Sequence, residues 1–488
     1  MKDLDFKIAQ LIIHRIDGDR ITDPDYHKSL IEIAKKGCGG FIIFGGKREM
    51  IKDLIARLHL ASGDVLFIAS DIEAGVARQI ADTTRLPCQM ALASVLYPDE
   101  EDLLFETLDV VIRECVYVGI NMPLIPVLDV NQNPQNPIIS TRAFSDKPDV
   151  VSWFVVRYIK AFSKFGLLLT GKHFPGHGDT DRDSHIELPI IKKSPQELSE
   201  MDLKPFITAI NSNIPCIMVG HLYMPSIDNV YPSSLSYLTI TNLLKGSLGF
   251  NGLVMTDAMN MSALKNFGDI YTQCLLAGNH IILHPNSFDE CLNALKTALH
   301  EKRLPLETVE KAFYKVRDFK SKLIGNSINK IDWDRHMEVS KILYSKAITL
   351  VVDKKDKMPL RDISSVGIRF FGDYRRYDTK PLRNVFNEID DSILKDIKTL
   401  IIAIFTTISA WHGNSGISQE DIDTIRTLLA NPSVSVVISF GNPYVLRHFY
   451  DDADILIAGY EQSVEAQKSA IECLTGKREF NHHLPVTI

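Results

Sequence analysis

The sequence lacks an excess of positive charge, a long apolar run and paired cysteines, and each absence removes a class of function. Its 488 residues include 54 Lys and Arg against 61 Asp and Glu, a formal net charge of −7. A nucleic-acid binder carries a basic footprint, and neither this total nor any Lys/Arg cluster with interleaved aromatics supplies one. Nucleic acid is therefore not expected as a partner. No apolar stretch approaches the roughly 18 residues of a membrane span, and the best candidate, Leu400 to Thr406, reads as a core strand, so no membrane partner is expected either. The opening Met1-Lys2-Asp3-Leu4-Asp5-Phe6-Lys7 places acidic residues where a signal peptide needs a cationic start and an apolar run. Seven cysteines, at 38, 88, 115, 216, 274, 291 and 473, form no CxxC pair. An odd, scattered set suits buried thiols in a reducing compartment, and the expected location is cytoplasmic. Internal repeats and low-complexity tracts are also missing, which excludes solenoids and disordered tails.

What the chain does contain is alternation. Up to about residue 325, short apolar runs alternate with segments of helical period, the signature of βα units around a parallel sheet. Eight runs are legible: Gln10–Ile16, Gly40–Phe44, Val65–Ser70, Ile120–Pro126, Leu167–Thr170, Cys216–Gly220, Gly252–Thr256 and His280–Leu283. Between them lie helical stretches such as Glu101–Val118, Pro195–Asn211 and Leu306–Leu323, and Ser194, Pro195 and Glu197 carry a helix-start signal. The pattern predicts an α/β fold, a (β/α)8 TIM-type barrel over residues 1–325. Gly325-Asn326-Ser327-Ile328-Asn329 suits a linker, placed at 326–340. A second series, Ala347–Val352, Gly367–Phe371, Leu400–Phe405, Ser435–Phe440 and Asp454–Ala458, alternates with the helical Glu420–Leu429 and Glu465–Leu474. It predicts a C-terminal three-layer α/β sandwich over 341–488.

In a parallel barrel the functional side chains come from strand C-termini and the loops after them. Asp71, Lys172 with His173, His221, Asp257 and His284 each follow one of the eight runs, and as a set they mark an active site. The densest segment is Lys172-His173-Phe174-Pro175-Gly176-His177-Gly178-Asp179-Thr180-Asp181-Arg182-Asp183-Ser184-His185. Its Pro175, Gly176 and Gly178 prevent a regular helix and make it a shaped loop. Metal ligation is one reading of its His and Asp residues, but Pro175 and Gly176 break the helical spacing that would pair His173 with His177. An acid/base loop is another: Asp183 and His185, two positions apart, can meet, and a carboxylate fixes an imidazole tautomer and stabilises its cation. Asp179 and Asp181 read as turn caps. Asp257, at the end of a buried run beside Ala258 and Met259, suits a nucleophile or an electrostatic stabiliser, with helix capping as its plain alternative.

The loop KHFPGHGDTDRDSH resembles the catalytic loop of the bacterial β-N-acetylhexosaminidases of glycoside hydrolase family 3, and VMTDAM around Asp257 resembles that family's nucleophile segment. INMPLIPVLDVN at 120–131, STRAF at 140–144, HLYMPSID at 221–228 and PSSLS at 232–236 agree, as do VISFGNP at 437–443 and LPV at 484–486 in the later part. The resemblance implies that Asp257 is the nucleophile of a retaining hydrolase and forms a covalent glycosyl-enzyme. It implies His185 as acid/base with Asp183 as its partner, and Asp71, Arg142, Lys172 and His173 as residues that hold the sugar. His221 is grouped with them as substrate-binding. An imidazole suits the acid role because its unperturbed pKa of about 6.5 lies near neutral pH. The family's Asp-x-Glu-Gly-Gly-x-Val-x-Arg stretch is here Asp71-Ile72-Glu73-Ala74-Gly75-Val76-Ala77-Arg78, one residue shorter and with one glycine fewer.

The resemblance therefore implies an exo-β-N-acetylglucosaminidase acting on a small saccharide containing N-acetylglucosamine, cell-wall fragments in peptidoglycan recycling, with no metal and no cofactor. A glycoside phosphorylase is the alternative enzyme, since a histidine acid avoids setting a second anion against phosphate. A carbohydrate-binding protein with weak turnover is the non-enzymatic one. The sequence leaves open the oligomeric state and whether the loop Trp411 to Gly416 reaches the barrel mouth or is self-contained.

Overall fold

The computed structural model describes the whole chain except residues 1, 324–327, 329, 391–393, 395–396, 409–412, 431 and 481–482. The chain forms two compact units, one of residues 1–85, 105–130 and 148–336 and the other of 86–104, 131–147 and 337–488. This division differs from the continuous one expected from the sequence. Within the second unit, the helix Gln89–Leu96 is buried on every face. Ser94 bonds Thr349 (2.9 Å), and Tyr344 donates to the Leu86 carbonyl (3.3 Å), so this early segment has its core partners late in the chain. A helix with no polar stripe must be covered all round. The expected linker at 326–340 falls partly outside the described residues; within it, Trp333–Ala347 is helical.

The first unit holds eight strands: β1 (Ile12–Asp17), β2 (Gly40–Phe44), β3 (Phe67–Ser70), β4 (Met122–Pro123), β5 (Thr170–Phe174), β6 (Cys216–Val219), β7 (Leu253–Thr256) and β8 (Ile282–Leu283). They pair in parallel in the orders β4-β3-β2-β1-β8 and β5-β6-β7. Isolated parallel bridges, Val127 with Lys172 and Met255 with Ile281, lie between the members of the two sheets. This is a TIM-barrel-like α/β unit. All eight expected runs overlap a strand, and β1 through β3 and β6 through β8 fall within two residues of the expected bounds, whereas the run Leu167–Thr170 shares only Thr170 with its strand. The exception that matters is β5. It lies later than the apolar run and includes Lys172 and His173, because its pairing with β6 shifts register between Gly171 and Phe174. The two polar residues thus belong to the strand rather than to the loop after it.

Helices between the strands follow their sequence signals. The Ser194 side chain accepts from the Glu197 amide while Glu197 reaches back to the Ser194 amide, the reciprocal cap expected there. Among the described residues no helix is long and apolar enough to cross a membrane. All seven cysteines are free and buried.

The second unit holds β9 (Thr349–Asp353), β10 (Val366–Gly372), β11 (Asn387–Glu388), β12 (Thr399–Phe405), β13 (Val434–Phe440) and β14 (Ile455–Ala458). The sheet order is β11-β10-β12-β13-β14-β9, parallel except for the antiparallel edge pair β14 with β9. Strand β12 is buried along its whole length, as a Leu-Ile-Ile-Ala-Ile-Phe run predicts for a central parallel strand. Of the loop from Trp411 to Gly416, residues 411–412 lie outside the described ones. Ser415 is buried within this unit, donating to the Asn136 carbonyl (2.9 Å) and accepting from the Asn442 amide nitrogen (3.2 Å).

One buried charge in the first unit has no role at the strand C-termini. Lys320, on the helix Leu306–Ser321, is 2% exposed and donates to the Gln10 side chain (2.8 Å) just ahead of β1. Burial lowers its pKa from 10.5 to about 8. Between pH 8 and 10.5 the unfolded chain then binds more protons than the folded one, so stability rises with pH across that window, by about 3 kcal/mol at full effect. Lys320→Met removes this contribution. Unfolding free energies of the parent and of Lys320→Met, measured by denaturant from pH 7.5 to 10.5, are expected to diverge by a pH-dependent amount; a constant difference contradicts the assignment.

Candidate active site

The residues singled out in the sequence fall at the strand C-termini of the first unit, with one exception. Arg142 belongs to the second unit, where it closes the short turn Ser140–Arg142 and its guanidinium donates to the Ile138 carbonyl (3.1 Å).

Lys172 is 1% exposed, and its ammonium is satisfied by two carboxylates, Asp71 Oδ1 at 2.6 Å and Glu73 Oε1 at 2.9 Å. A cation buried this deeply survives only with such partners. Glu73 in turn bonds Arg78 Nε at 2.9 Å. The shortened Asp71–Arg78 stretch therefore still returns its arginine to the same charge cluster. Asp71 is the partly exposed member and presents its carboxylate outward, suited to accept from sugar hydroxyls.

His173 is held by a residue the sequence reading did not single out. Asp129, with no exposed surface, accepts from His173 Nδ1 (2.7 Å), from the His173 amide (3.3 Å) and from the His177 amide (2.7 Å). Burial pushes its carboxyl up, but the adjoining His173 and His177 outweigh it and the net pKa is lowered. The only sequence signal was an acidic residue within the apolar stretch Ile120–Asn131, three positions beyond its run. His177 bonds Thr180 Oγ1 through Nδ1 (2.8 Å) and Ser184 Oγ through Nε2 (3.1 Å), and burial, then His173, lowers its pKa to about 4. Both ring nitrogens are thus committed to the loop itself. Gly176 is required by space: a Cβ there would stand 2.8 Å from that of Asp202, at φ +134°.

The loop then delivers Asp183 and His185. Asp183 Oδ1 accepts both from His185 Nδ1 (2.8 Å) and from the His185 amide (2.9 Å). Asp183 is buried and His185 partly exposed. With Nδ1 held by the carboxylate, a proton in transit is carried on Nε2. Asp179 pairs with Lys193 (3.2 Å), whose ammonium also meets the buried Asp202 (2.7 Å).

Asp257 stands at the end of β7, its amide donating to the Val219 carbonyl (2.9 Å) and its Oδ1 accepting from the Ala258 amide (2.7 Å). Burial raises its pKa, but His173, His221, His185 and the Ala258 amide together prevail and hold it at about 2. It is ionised at any physiological pH. His221 is fully buried, with Nδ1 on Ser234 Oγ (2.6 Å) and Nε2 on the Ala258 carbonyl (3.0 Å). A carbonyl only accepts, so Nε2 carries the hydrogen and Ser234 donates to Nδ1. Expected among the substrate-binding residues, His221 is placed so that Nε2 braces the turn bearing Asp257 while Nδ1 is held by Ser234. His284, after β8, is 8% exposed, and burial, then Arg15 and His14, lower its pKa to about 4. The arrangement sets an ionised carboxylate among imidazoles, with a carboxylate-held imidazole on a separate loop.

Residues 3–318 match the family described as the glycosyl hydrolase family 3 N terminal domain. The chain is similar to a β-hexosaminidase A of Pseudoalteromonas piscicida, 33% identical over 68% of this chain, and spans 62% of that relative's length. A β-hexosaminidase of Nitrosomonas eutropha is 31% identical over 58% of this chain and 83% of its own. Among solved structures, a family 3 β-N-acetylglucosaminidase from Paenibacillus sp. str. FPU-7 superposes with a TM-score of 0.84 at 25% identity, covering 99% of this chain and 98% of its own.

Replacing Asp129 tests the geometry independently of any activity. Asp129→Ala leaves buried donors at His173 and His177 without an acceptor, at roughly 1–3 kcal/mol each. Stability is expected to fall by about 3 kcal/mol or more in denaturant unfolding, with faster amide exchange over 173–177; unchanged exchange there contradicts the anchoring role.

Proposed function

The chain belongs to glycosyl hydrolase family 3, and we propose that it is a glycoside hydrolase, a retaining exo-β-N-acetylglucosaminidase that works through a covalent intermediate on Asp257. The observation that carries this reading is the pairing of a carboxylate held ionised at about 2 with the Asp183-bound imidazole of His185. In the first step an Asp257 oxygen attacks the anomeric carbon, the bond to the leaving oxygen breaks, and that oxygen takes the proton from His185 Nε2. In the second, His185 removes a proton from water, which attacks the same carbon and releases Asp257. Asp183 keeps the ring oriented and stabilises its cationic form. Asp71, Lys172 and His173 hold the sugar hydroxyls, and Arg142 is assigned the same task by resemblance. His221 serves the site by bracing the Asp257 turn.

The substrate proposed is a small saccharide ending in N-acetylglucosamine, as the names of the β-hexosaminidase relatives suggest. Cell-wall fragments and a cytoplasmic setting are its proposed context. The same reading takes the first unit as a complete (β/α)8 barrel and the second as a three-layer α/β sandwich, with catalysis in the first.

Release of p-nitrophenol from its β-N-acetylglucosaminide is the direct test, and a folded protein without that activity contradicts the proposal. Asp257→Ala is expected to lower kcat by at least about 10⁴-fold. His185→Ala is expected to lose about 10²–10⁴-fold on a poor leaving group, the usual worth of general acid–base catalysis, and far less on p-nitrophenol. Equal losses on both remove His185 from the acid role. With Asp257 ionised down to about pH 2, any acid limb of kcat/KM above pH 4 persists in variants that alter only the surroundings of Asp257. Added inorganic phosphate separates hydrolysis from phosphorolysis: sugar 1-phosphate as product supports the phosphorylase.

A further inference from the structure

Near the start of β7, at the end of the strand away from Asp257, hydrogen bonds fix the protonation of a lysine. His280 lies just ahead of β8, and its Nδ1 stands 3.0 Å from the Val254 amide nitrogen. A backbone N–H only donates, so Nδ1 holds a lone pair and the hydrogen of the neutral ring sits on Nε2. Nε2 in turn stands 3.0 Å from Nζ of Lys245, on the helix Leu238–Ser247, and that Nζ donates to the Gly278 carbonyl (2.5 Å). An ammonium has donors and no acceptor, so a charged Lys245 sets N–H against N–H. An uncharged amine accepts from Nε2 and donates to the carbonyl. Val254, His280, Lys245 and Gly278 then form one chain of bonds running in one direction.

The surroundings favour that state. Burial, then the cation of Lys315, lowers the Lys245 pKa to about 8, and burial, then Lys245 and Lys315, holds His280 well below its usual range. The adjoining segments Ser233–Leu235 and Ile270–Ala277 carry no charged residue, and among the described residues no carboxylate acts on Lys245. Lys245 keeps part of its surface in solvent. Lys320 is lowered equally, but it is 2% exposed and donates to Gln10, an arrangement that an ammonium satisfies.

We propose that Lys245 is a modification site for carbon dioxide. The amine lone pair attacks the carbon, an N–C bond forms, one C=O π pair moves onto oxygen, and the nitrogen releases a proton to solvent, leaving a carbamate. Three features select this electrophile. It carries no charge and enters a partly desolvated site beside Lys315 without repulsion. It is small, and Nζ lies against Gly278 so closely that a Cβ there would stand 3.3 Å from it. Its product is an anion, which turns the repulsion from Lys315 into attraction and gives His280 Nε2–H an oxygen acceptor. Acylation of the same nitrogen leaves a neutral amide that gains nothing from Lys315.

The test uses the full chain, equilibrated at about pH 7.5 with isotope-labelled bicarbonate and treated with triethyloxonium ion, which fixes a carbamate as its ethyl ester for peptide mass spectrometry. At that pH about a quarter of an amine of pKa about 8 is unprotonated, against about a thousandth at 10.5, so the label on Lys245 is expected to exceed that on any exposed lysine by at least about tenfold. Lys320, sealed in the interior, is expected to stay unlabelled. Lys315→Met is expected to cut the label on Lys245 several-fold, because the carbamate loses its cation. Label on Lys245 no higher than on exposed lysines overturns the proposal, and so does label that Lys315→Met leaves unchanged. Nitrogen NMR of the histidines in buffer freed of carbon dioxide tests the premise without any reaction: a hydrogen on His280 Nε2 supports it, and one on Nδ1 overturns it.

Discussion

The active-site loop depends on one buried carboxylate. Asp129 has no exposed surface, and an ion in that position costs several kcal/mol unless its lone pairs are filled. Three donors fill them, and all three come from a five-residue span across the end of β5 and the loop after it, His173 through its ring and amide and His177 through its amide. The segment cannot shift without uncovering the charge. Its close approach to Asp202 at Gly176, and the register shift of β5 against β6, are features of a chain held at that point.

With the loop fixed, the charges of the site sort themselves into two zones. On one side Lys172 is neutralised by Asp71 and Glu73, and Glu73 by Arg78, so this zone offers hydrogen-bonding groups with little net field. On the other, Asp257 is ionised among rings: His177 and His284 are held near 4 and His221 is lowered, each mainly by burial. Rings held neutral beside Asp257 suit the uncharged sugar of the proposed function. A substrate without charge gains nothing from long-range steering, and its recognition rests on short, directional contacts.

Much of this was legible in the sequence, for identifiable reasons. Apolar runs mark strands because a parallel sheet is buried on both faces, and seven of the eight runs in the first unit coincide with one, the run Leu167–Thr170 sharing only its last residue with β5. Asp183 and His185 could be paired because two residues of separation is a local relation, and local relations survive folding. What failed was non-local. Nothing near Asp129 announces that its partners lie 44 and 48 positions later. His221 looked available to a ligand because only the fold reveals that Ser234 and the Ala258 carbonyl take both its nitrogens. The helix Gln89–Leu96, apolar all round, signalled full burial but not that its cover comes from the second unit.

The way the acid/base pair is built bears on how it can move. One oxygen of Asp183 accepts from both the ring and the backbone amide of His185, so the dyad's geometry is set within three consecutive residues. A displacement of residues 178–185 carries the pair as a unit and does not spoil its alignment. The base of the loop is pinned at Asp129, and one contact of its tip is the 3.3 Å bond from the Ser262 amide, in the loop after Asp257, to the His185 carbonyl. In the proposed reaction, two successive steps at one carbon would require the same imidazole to give a proton to a departing group and then take one from water, with the first group leaving between them. A dyad that can withdraw intact and return meets that requirement without rebuilding its hydrogen bonds.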